Sequence, residues 1–329
     1  MSKRPPSHRV TGLLSLPCAL AIAAIPLCAL GEPLKLPRWV TAKPDSSTQT
    51  QTSAEVRGIN PCATPDPGFG TYGGWHRDVR MGQYLRPVRG GLRKDGSFDV
   101  MFHFHGHEPV RKEWVKAMTG AVFVSVDLGI GSGPYEDAFE SPTAFEEYLA
   151  SVETAVAKAT GNPRAHAKHV GLSAWSAGYG AVVRILGQPL GRRVDTVILL
   201  DALHAGYVDG HVDLRQIQSV ATFAKRAANS KLDLMFMSHS SIIPPGYAST
   251  TETAHLLTWY VGGSPRPFHG SRRRTMGLEL ISSYDREGFH ERGYRGNDKM
   301  DHCAHIGLYA EVLELQVAPR WRTPKGYAK

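Results

Sequence analysis

Apolar segments of two lengths alternate along the chain from residue 97 onward. Short runs such as Phe98–Phe104 and Ala121–Val126 are rich in β-branched or aromatic residues, which is typical of buried strands. Longer stretches such as Thr143–Thr160 place apolar residues at helical spacing. Strands that alternate with helices in this way predict an α/β fold of three layers, with a mainly parallel, doubly wound sheet covered on both faces.

This pattern predicts six strands and six helices. The predicted strands are Phe98–Phe104, Ala121–Val126, Val170–Ala174, Val194–Leu200, Lys231–Met237 and Leu278–Ser283. The predicted helices are Pro109–Met118, Thr143–Thr160, Ala181–Leu186, Val212–Ala228, Thr251–Val261 and Ala304–Val317. Upstream of them, the Gly- and Pro-rich stretch from Pro61 to Gly91 predicts loops or short edge strands packed on the core.

The N-terminus carries a pattern typical of export. Three basic residues within Met1–Arg9 precede the nearly apolar run Leu13–Leu30. This order predicts a secretory signal peptide at residues 1–31, and therefore a secreted or periplasmic protein with no stable membrane anchor after cleavage. A retained membrane anchor is the alternative, which Pro17 and Pro26 disfavour because they interrupt the run.

The remaining chain divides into a tether and one domain. Residues 32–60 lack apolar periodicity, which predicts a disordered linker, and residues 61–329 are expected to form a single domain. The whole chain has 329 residues, of which 42% are hydrophobic and 21% charged, as in globular proteins. Its formal charge of +8 falls to +5 without residues 1–31, which is too mild to predict binding to nucleic acid.

A serine lies where a predicted strand meets a predicted helix. In the segment Ala174-Trp175-Ser176-Ala177-Gly178, small residues stand two positions before and two positions after the serine. This arrangement is typical of the nucleophile elbow, usually G-x-S-x-G, in which bulk at either flank would collide with neighbouring elements. Alanine replaces the first glycine here, and one methyl group still permits close packing. A plain strand–turn–helix with a surface serine is the alternative.

Candidate partners of this serine follow other predicted strands. Ligands bind at the carboxyl ends of parallel strands, so residues at those ends are expected to meet at one edge of the sheet. Residues 103–107 include three histidines, Asp201 follows the fourth predicted strand, and His302 and His305 lie near the start of the last helix. The order Ser176, Asp201, His302 is the order of serine, acid and histidine in α/β-hydrolases.

From about residue 97 to Trp321 the chain resembles esterases and lipases of the α/β-hydrolase fold, of the secreted bacterial kind. The resemblance implies a sheet of the α/β-hydrolase type. It also implies a serine hydrolase that cleaves a small-molecule or polymer ester and needs no metal ion or organic cofactor.

The same resemblance implies a role for each candidate residue. Ser176 would attack an acyl carbonyl, a histidine would take its proton, and Asp201 would hold the imidazole and stabilise its charged form. Backbone N–H groups of Ala177 and of His107, which follows Gly106, would bind the oxyanion.

Two of these assignments rest on a choice between residues. In the family the acid more often follows the next strand, but that segment, Leu234–His239, ends without a carboxylate, so Asp201 is preferred. Capping of a turn is the alternative role for Asp201. His302 is preferred to His305 because it is expected on the loop before the helix. The insertion Ser240–Thr250 fits either a lid over an acyl group or an inert surface loop.

Two other functions remain open. His103, His105 and His107 alternate as the ligands of zinc hydrolases do, and His239 and Asp301 could complete such a metal site. That hypothesis of a metal-dependent hydrolase leaves the elbow unexplained. A catalytically inactive binding protein with a hydrolase fold is the second alternative, which the presence of all three triad residue types disfavours.

Signal cleavage would leave two cysteines, Cys62 and Cys303, in an oxidising compartment. We expect them to form a disulfide, with two unlinked thiols as the alternative. Mass spectrometry of the exported protein should then show two hydrogens fewer than the fully reduced chain, and alkylation without reductant should modify neither cysteine. Quantitative alkylation of both would contradict the pairing.

Overall fold

A sheet of nine strands lies at the centre of the described part of the chain. The computed structural model describes residues 36–44, 64–268 and 275–321. Within these residues nine strands form one sheet in the order β1-β3-β2-β4-β5-β8-β11-β10-β9, and β6 pairs with β7. The strands are β1 Gln83–Leu85, β2 Ser97–Phe104, β3 Val122–Val126, β4 His166–Trp175, β5 Thr196–Leu200, β6 Tyr207–Val208, β7 His211–Val212, β8 Leu234–His239, β9 Arg266–Pro267, β10 Glu279–Arg286 and β11 Phe289–Arg295.

Six neighbouring strands of the sheet run parallel. They are β3, β2, β4, β5, β8 and β11, while β1 at one edge and β10 and β9 at the other are antiparallel to their neighbours. This arrangement confirms the predicted α/β fold with a mainly parallel, doubly wound sheet. It also confirms a short edge strand, β1, within the Gly- and Pro-rich stretch.

Helices cover both faces of this sheet. They are α1 Arg38–Thr41, α2 His107–Ala117, α3 Gly133–Ala138, α4 Ala144–Thr160, α5 Tyr179–Gly187, α6 Gln218–Ala227, α7 Thr250–Tyr260, α8 Lys299–Ala304, α9 Leu308–Val312 and α10 Ala318–Trp321. Local sequence fixes several of their ends: Ser249 and Glu252 form a capping box at the start of α7, and Gly161 ends α4 with a φ of 66°. In the part of the chain that is described, no helix is long and apolar enough to cross a membrane.

Alternation along β2 shows how the layers form. Successive side chains of a strand point to opposite faces, and all eight residues of β2 are buried. The ring of Phe102 contacts Phe145 of α4 with centroids 5.3 Å apart. The ring of His103 lies 5.8 Å from that of Tyr309 in α9. One face of the sheet is therefore packed against α4, and the other against the C-terminal helices.

Part of the expected linker is ordered. Residues 38–41 form α1, and Val40 in this helix is only 2% exposed. Trp39 contacts His255 of α7 edge to face, and its carbonyl oxygen accepts a hydrogen bond from His255 Nδ1. Within the expected linker, residues 38–41 are thus helical, with Val40 buried and Trp39 packed on α7; the linker over residues 32–60 otherwise stays a prediction. The expected signal peptide, residues 1–31, lies outside the described residues.

The main omission in the predicted elements is β11. It pairs in parallel with β8, yet its segment Phe289–Arg295 carries polar or charged residues at most of its positions. Glu291, for example, is fully buried and bonds His239 across the strand pair at 2.5 Å. A buried polar pair of this kind hides the apolar alternation on which a sequence-based prediction depends.

Two predicted helix boundaries also differ. The helix expected from Val212 begins at Gln218, after a 3₁₀ turn at Leu214–Ile217. The last helical region begins at Lys299 rather than at 304, because the side chain of Asp298 caps it by accepting hydrogen bonds from the N–H groups of Met300 and Asp301.

The core beneath α2 offers a test of this packing. Trp114 is fully buried and stacks on Phe123 of β3 with ring centroids 4.8 Å apart. We expect Trp114→Ala to lower the free energy of unfolding by about 3–5 kcal/mol, since it removes a large buried ring and leaves a cavity. Urea denaturation measures this loss. The control Leu232→Ala alters a residue that is 86% exposed and should change stability by no more than about 0.5 kcal/mol.

Candidate active site

Three neighbouring strands, β2, β4 and β5, each end at a residue in the left-handed backbone region. The residue directly after β2 is His105, with a φ of 74°; Ser176 follows β4 with 49°, and Asp201 follows β5 with 43°. Residues other than glycine seldom adopt this conformation, which costs of order 1–3 kcal/mol and is concentrated at functional sites. Each turn lies at the carboxyl edge of the parallel sheet, where the sequence predicted the site.

The tight turn at Ser176 explains the small residues that flank it. A Cβ atom at Gly178 would lie 2.1 Å from the carbonyl oxygen of Phe104, so no larger residue fits there without moving the end of β2. Ala174 is fully buried and lies beside Phe104 and Leu199 in the strand register. The side chain of Ser176 itself is half-buried. The chain thus makes a sharp strand-to-helix turn whose serine remains accessible.

Asp201 and His302 are in direct contact. The Oδ2 atom of Asp201 lies 2.6 Å from Nδ1 of His302, and the two side chains are 2% and 23% exposed. The other carboxylate oxygen, Oδ1, accepts hydrogen bonds from the backbone N–H of Ser240 at 2.8 Å and from the hydroxyl of Thr250 at 2.6 Å. Both oxygens of the acid are therefore held, and one side of the imidazole is fixed.

The environment of Asp201 keeps it ionised. Burial by itself would raise the pKa of this carboxyl, but the imidazoles of His305 and His302 and the hydroxyl of Thr250 outweigh that effect and hold the pKa well below its usual range. A buried carboxylate that stays charged can orient a histidine and stabilise its protonated form.

The two candidate histidines have different surroundings. His302 lies in α8, not on the loop expected for it, and its ring stacks on Trp175 with centroids 4.8 Å apart. His305 is fully buried, and its Nδ1 atom bonds the hydroxyl of Ser238 at 2.8 Å. Of the two, His302 is the one bonded to Asp201. Among the described residues, no hydrogen bond joins the hydroxyl of Ser176 to either imidazole.

The expected oxyanion donors lie at two helix starts. Ala177 belongs to the 3₁₀ turn Ser176–Gly178, and His107 is the first residue of α2, so the N–H group of each lies in a first turn that offers no intrahelical acceptor. The N–H of Gly106 instead donates to Oδ2 of Asp127 at 3.2 Å. Gly106 therefore shapes this loop through its φ of 78° and is not placed as a donor.

The three alternating histidines do not converge on one point. Both ring nitrogens of His103 are engaged inside the core, Nδ1 with the hydroxyl of Ser173 at 2.9 Å and Nε2 with the carbonyl oxygen of His105 at 2.6 Å. His107 instead faces Asp127. His239, a further candidate ligand, has its nitrogens on Thr251 and Glu291. Within the described ranges, no group of three or more His, Cys, Asp or Glu side chains could hold a metal ion.

The insertion Ser240–Thr250 has a role that the sequence did not reveal. Its first and last residues are the two donors to Asp201 Oδ1. Tyr247, near its middle, is 42% exposed and contacts the ring of His204 edge to face at 5.0 Å. Both ends of the loop thus hold Asp201, while the centre of the loop reaches the surface.

Cys62 lies outside the described residues, so its pairing with Cys303 stays a prediction.

Comparisons with known proteins find likeness in structure only. No family model matches the sequence, and no curated protein does so either. An α/β hydrolase enzyme from the metagenome of Lake Arreo, Spain, is 12% identical and has a TM-score of 0.41, with 86% of this chain and 92% of that chain covered. The poly(3-hydroxybutyrate) depolymerase LpqC from Bordetella parapertussis is 12% identical with a TM-score of 0.39, covering 70% and 82%.

A thermostable esterase is a third similar structure. It is 12% identical with a TM-score of 0.40, and the match covers 76% of this chain but 62% of the esterase. At this level of similarity the function of the chain has to be argued from its own side chains.

Buried histidines near the site should make the fold sensitive to acid. Burial lowers the pKa of His305 to about 4 and that of His103 to about 3, below the usual 6.5. The unfolded chain therefore binds more protons than the folded one as the pH falls from 6.5 towards 4, and stability is lost in that window. We expect His305→Gln to reduce this loss by on the order of 3 kcal/mol, measured by urea denaturation at pH 7 and pH 4.5.

The exposed His166 supplies the control for this measurement. His166→Gln should leave the pH dependence of stability as in the unaltered protein, because its side chain faces solvent. An equal loss of stability between pH 7 and pH 4.5 in the His305 variant and the unaltered protein would contradict the expectation.

Proposed function

We propose that this chain is a serine hydrolase that cleaves carboxylic esters through an acyl-enzyme. The observation that carries the proposal is the pair formed by Asp201 and His302, whose imidazole lies against the residue directly before Ser176. A serine in a strained turn, an imidazole beside it and a buried carboxylate that orients the imidazole are the parts that this chemistry needs.

The proposed reaction assigns one step to each group. Ser176 Oγ attacks the ester carbonyl carbon while Nε2 of His302 takes its proton, and Asp201 stabilises the imidazolium. The oxyanion forms beside the N–H groups of Ala177 and His107. The alcohol leaves with the proton from His302, and water then cleaves the acyl-enzyme by the same route. The hydrogen bond from Ser176 to His302 forms on substrate binding, as catalytic contacts often do.

A groove lined by residues that follow the candidate site in the chain offers room for a substrate. It has a volume of about 810 Å³, and its lining includes Tyr179, three residues after Ser176, and His204, three residues after Asp201, but not Ser176, Asp201 or His302 themselves. It runs along α5 as far as Gln188 and exposes both polar and apolar groups. This shape supports a small-molecule ester or a segment of a polymer ester as the substrate, without selecting between them.

The proposal also includes the place where the enzyme works. The N-terminal pattern supports export, so we propose a secreted or periplasmic enzyme with a Cys62–Cys303 bridge, acting on esters outside the cytoplasm. The subfamily of secreted bacterial esterases that the sequence resembles is part of this proposal.

Hydrolysis of a short p-nitrophenyl ester tests the reaction. We expect Ser176→Ala and His302→Gln each to lower kcat at least about a thousandfold, because each removes a group that forms or breaks a bond. A fluorophosphonate should label the unaltered protein at Ser176, and a chelator should leave the rate unchanged.

The exposed Ser141 provides the matched control, since Ser141→Ala should retain full activity. Equal rates for the unaltered protein and Ser176→Ala would favour a binding protein with a hydrolase fold. Loss of activity with a chelator would favour the metal-dependent reaction. A large loss in His305→Gln with none in His302→Gln would move the base to His305.

A further inference from the structure

Trp175 stacks on two histidines at the elbow. Its indole stacks on the ring of His302, with centroids 4.8 Å apart and planes at 30°. It also stacks on the ring of His105, with centroids 5.0 Å apart and planes at 9°. The indole Nε1–H also donates a hydrogen bond to the carbonyl oxygen of His302 at 3.1 Å. The residue directly before Ser176 is thus tied to His302 through both its ring face and its edge.

The loop after β2 is shaped to receive this indole. A Cβ atom at Gly106 would lie 2.9 Å from the six-membered ring of Trp175, so glycine leaves the space that the ring fills. The ring of His105 is held by its Nδ1 atom, which bonds the hydroxyl of Tyr135 at 2.9 Å and lies 3.5 Å from Oδ1 of Asp127. The indole is therefore held by the loop after β2 as well as by α8.

The two histidines that stack on the indole differ in charge during the proposed reaction. Burial lowers the pKa of His105, despite the opposing effect of Asp127, so that this ring is neutral near pH 7. His302, in contrast, gains a proton during each proposed acyl transfer. The face of an indole attracts a cation, and a neutral His105 does not compete with the imidazolium of His302 for the indole of Trp175.

We propose that Trp175 is a positioning residue that holds the imidazole of His302 in place and favours its protonated form by a cation–π contact. This inference rests on the proposed function, in which His302 is the base. It makes Trp175 a second source of stabilisation for the imidazolium, on the ring face, beside the carboxylate at Nδ1.

The other titratable groups around His302 leave this contact undisturbed. Asp201 is the carboxylate bonded to its ring. His305 and His204 lie near enough to interact with it electrostatically, and burial lowers the pKa of each, that of His305 to about 4. Both are neutral near pH 7, so the imidazolium of His302 is stabilised by Asp201 and by the indole of Trp175.

The variants Trp175→Phe and Trp175→Leu test this proposal with a short p-nitrophenyl ester. We expect kcat to fall roughly 3- to 10-fold in Trp175→Phe and further in Trp175→Leu, with KM nearly unchanged, because the lost contact forms with the imidazolium. The acid limb of the kcat/KM profile should move to lower pH, by about half a unit in Trp175→Leu. Without the indole, His302 is a weaker base and therefore stays neutral in more acidic solution.

A matched tryptophan elsewhere in the fold serves as the control. Trp259→Phe alters a half-buried tryptophan in α7 and should leave kcat, KM and the pH profile unchanged. A purely structural role for Trp175 would lower activity without moving the acid limb. An acid limb that stays in place or moves to higher pH in a folded Trp175→Leu or Trp175→Phe variant would overturn the proposal.

Fluorescence gives a readout that needs no turnover. The emission of Trp175 is the difference in emission between the unaltered protein and Trp175→Phe. It should fall as His302 gains its proton, because an imidazolium in contact with the indole quenches its emission. Ser176→Ala should show the same transition, and His302→Gln should lose it. If the transition persists in His302→Gln, the proposal is overturned. If the unaltered protein shows the transition, and His302→Gln loses it, but the protein hydrolyses no ester, only the proposed function is refuted.

Discussion

The candidate site depends on the backbone at the ends of three neighbouring parallel strands. β2, β4 and β5 each pass directly into a residue with a positive φ, namely His105, Ser176 and Asp201. These turns stop each strand abruptly and direct the next segment of the chain over the edge of the sheet. The conformational cost of three such residues is met by a surrounding structure that is tightly packed, as shown by the contact between Gly178 and the end of β2.

A network of hydrogen bonds joins Asp201 and His302 at this edge of the sheet. The buried carboxylate of Asp201 holds His302 and is itself held by both ends of the loop that runs from Ser240 to Thr250. The hydroxyl of Ser238 accepts from the N–H of Asp201 and bonds His305, so the deeper histidine supports the acid from below. The two ends of this loop thus hold one oxygen of the Asp201 carboxylate.

The histidine-rich segment after β2 serves the same arrangement. Its three side chains alternate in sequence, and the structure gives them separate tasks: His103 bonds within the core, His105 stacks on the elbow tryptophan, and His107 begins a helix. The three alternating histidines therefore take part in packing and in the start of α2. Ser176 and Asp201 follow neighbouring strands at one edge of the sheet, where His302 is bonded to Asp201.

The sequence by itself determined the layered α/β fold, the parallel strands and the small residues around Ser176, because hydrophobic periodicity and local steric limits can be read from neighbouring residues. It did not show β11, where a buried Glu291 pairs with His239 and masks the alternation. Nor did it show that Ser240 and Thr250 hold Asp201, or that Trp175 stacks on both His105 and His302. These contacts join residues far apart in the chain, and only tertiary packing decides which of several compatible polar partners meet.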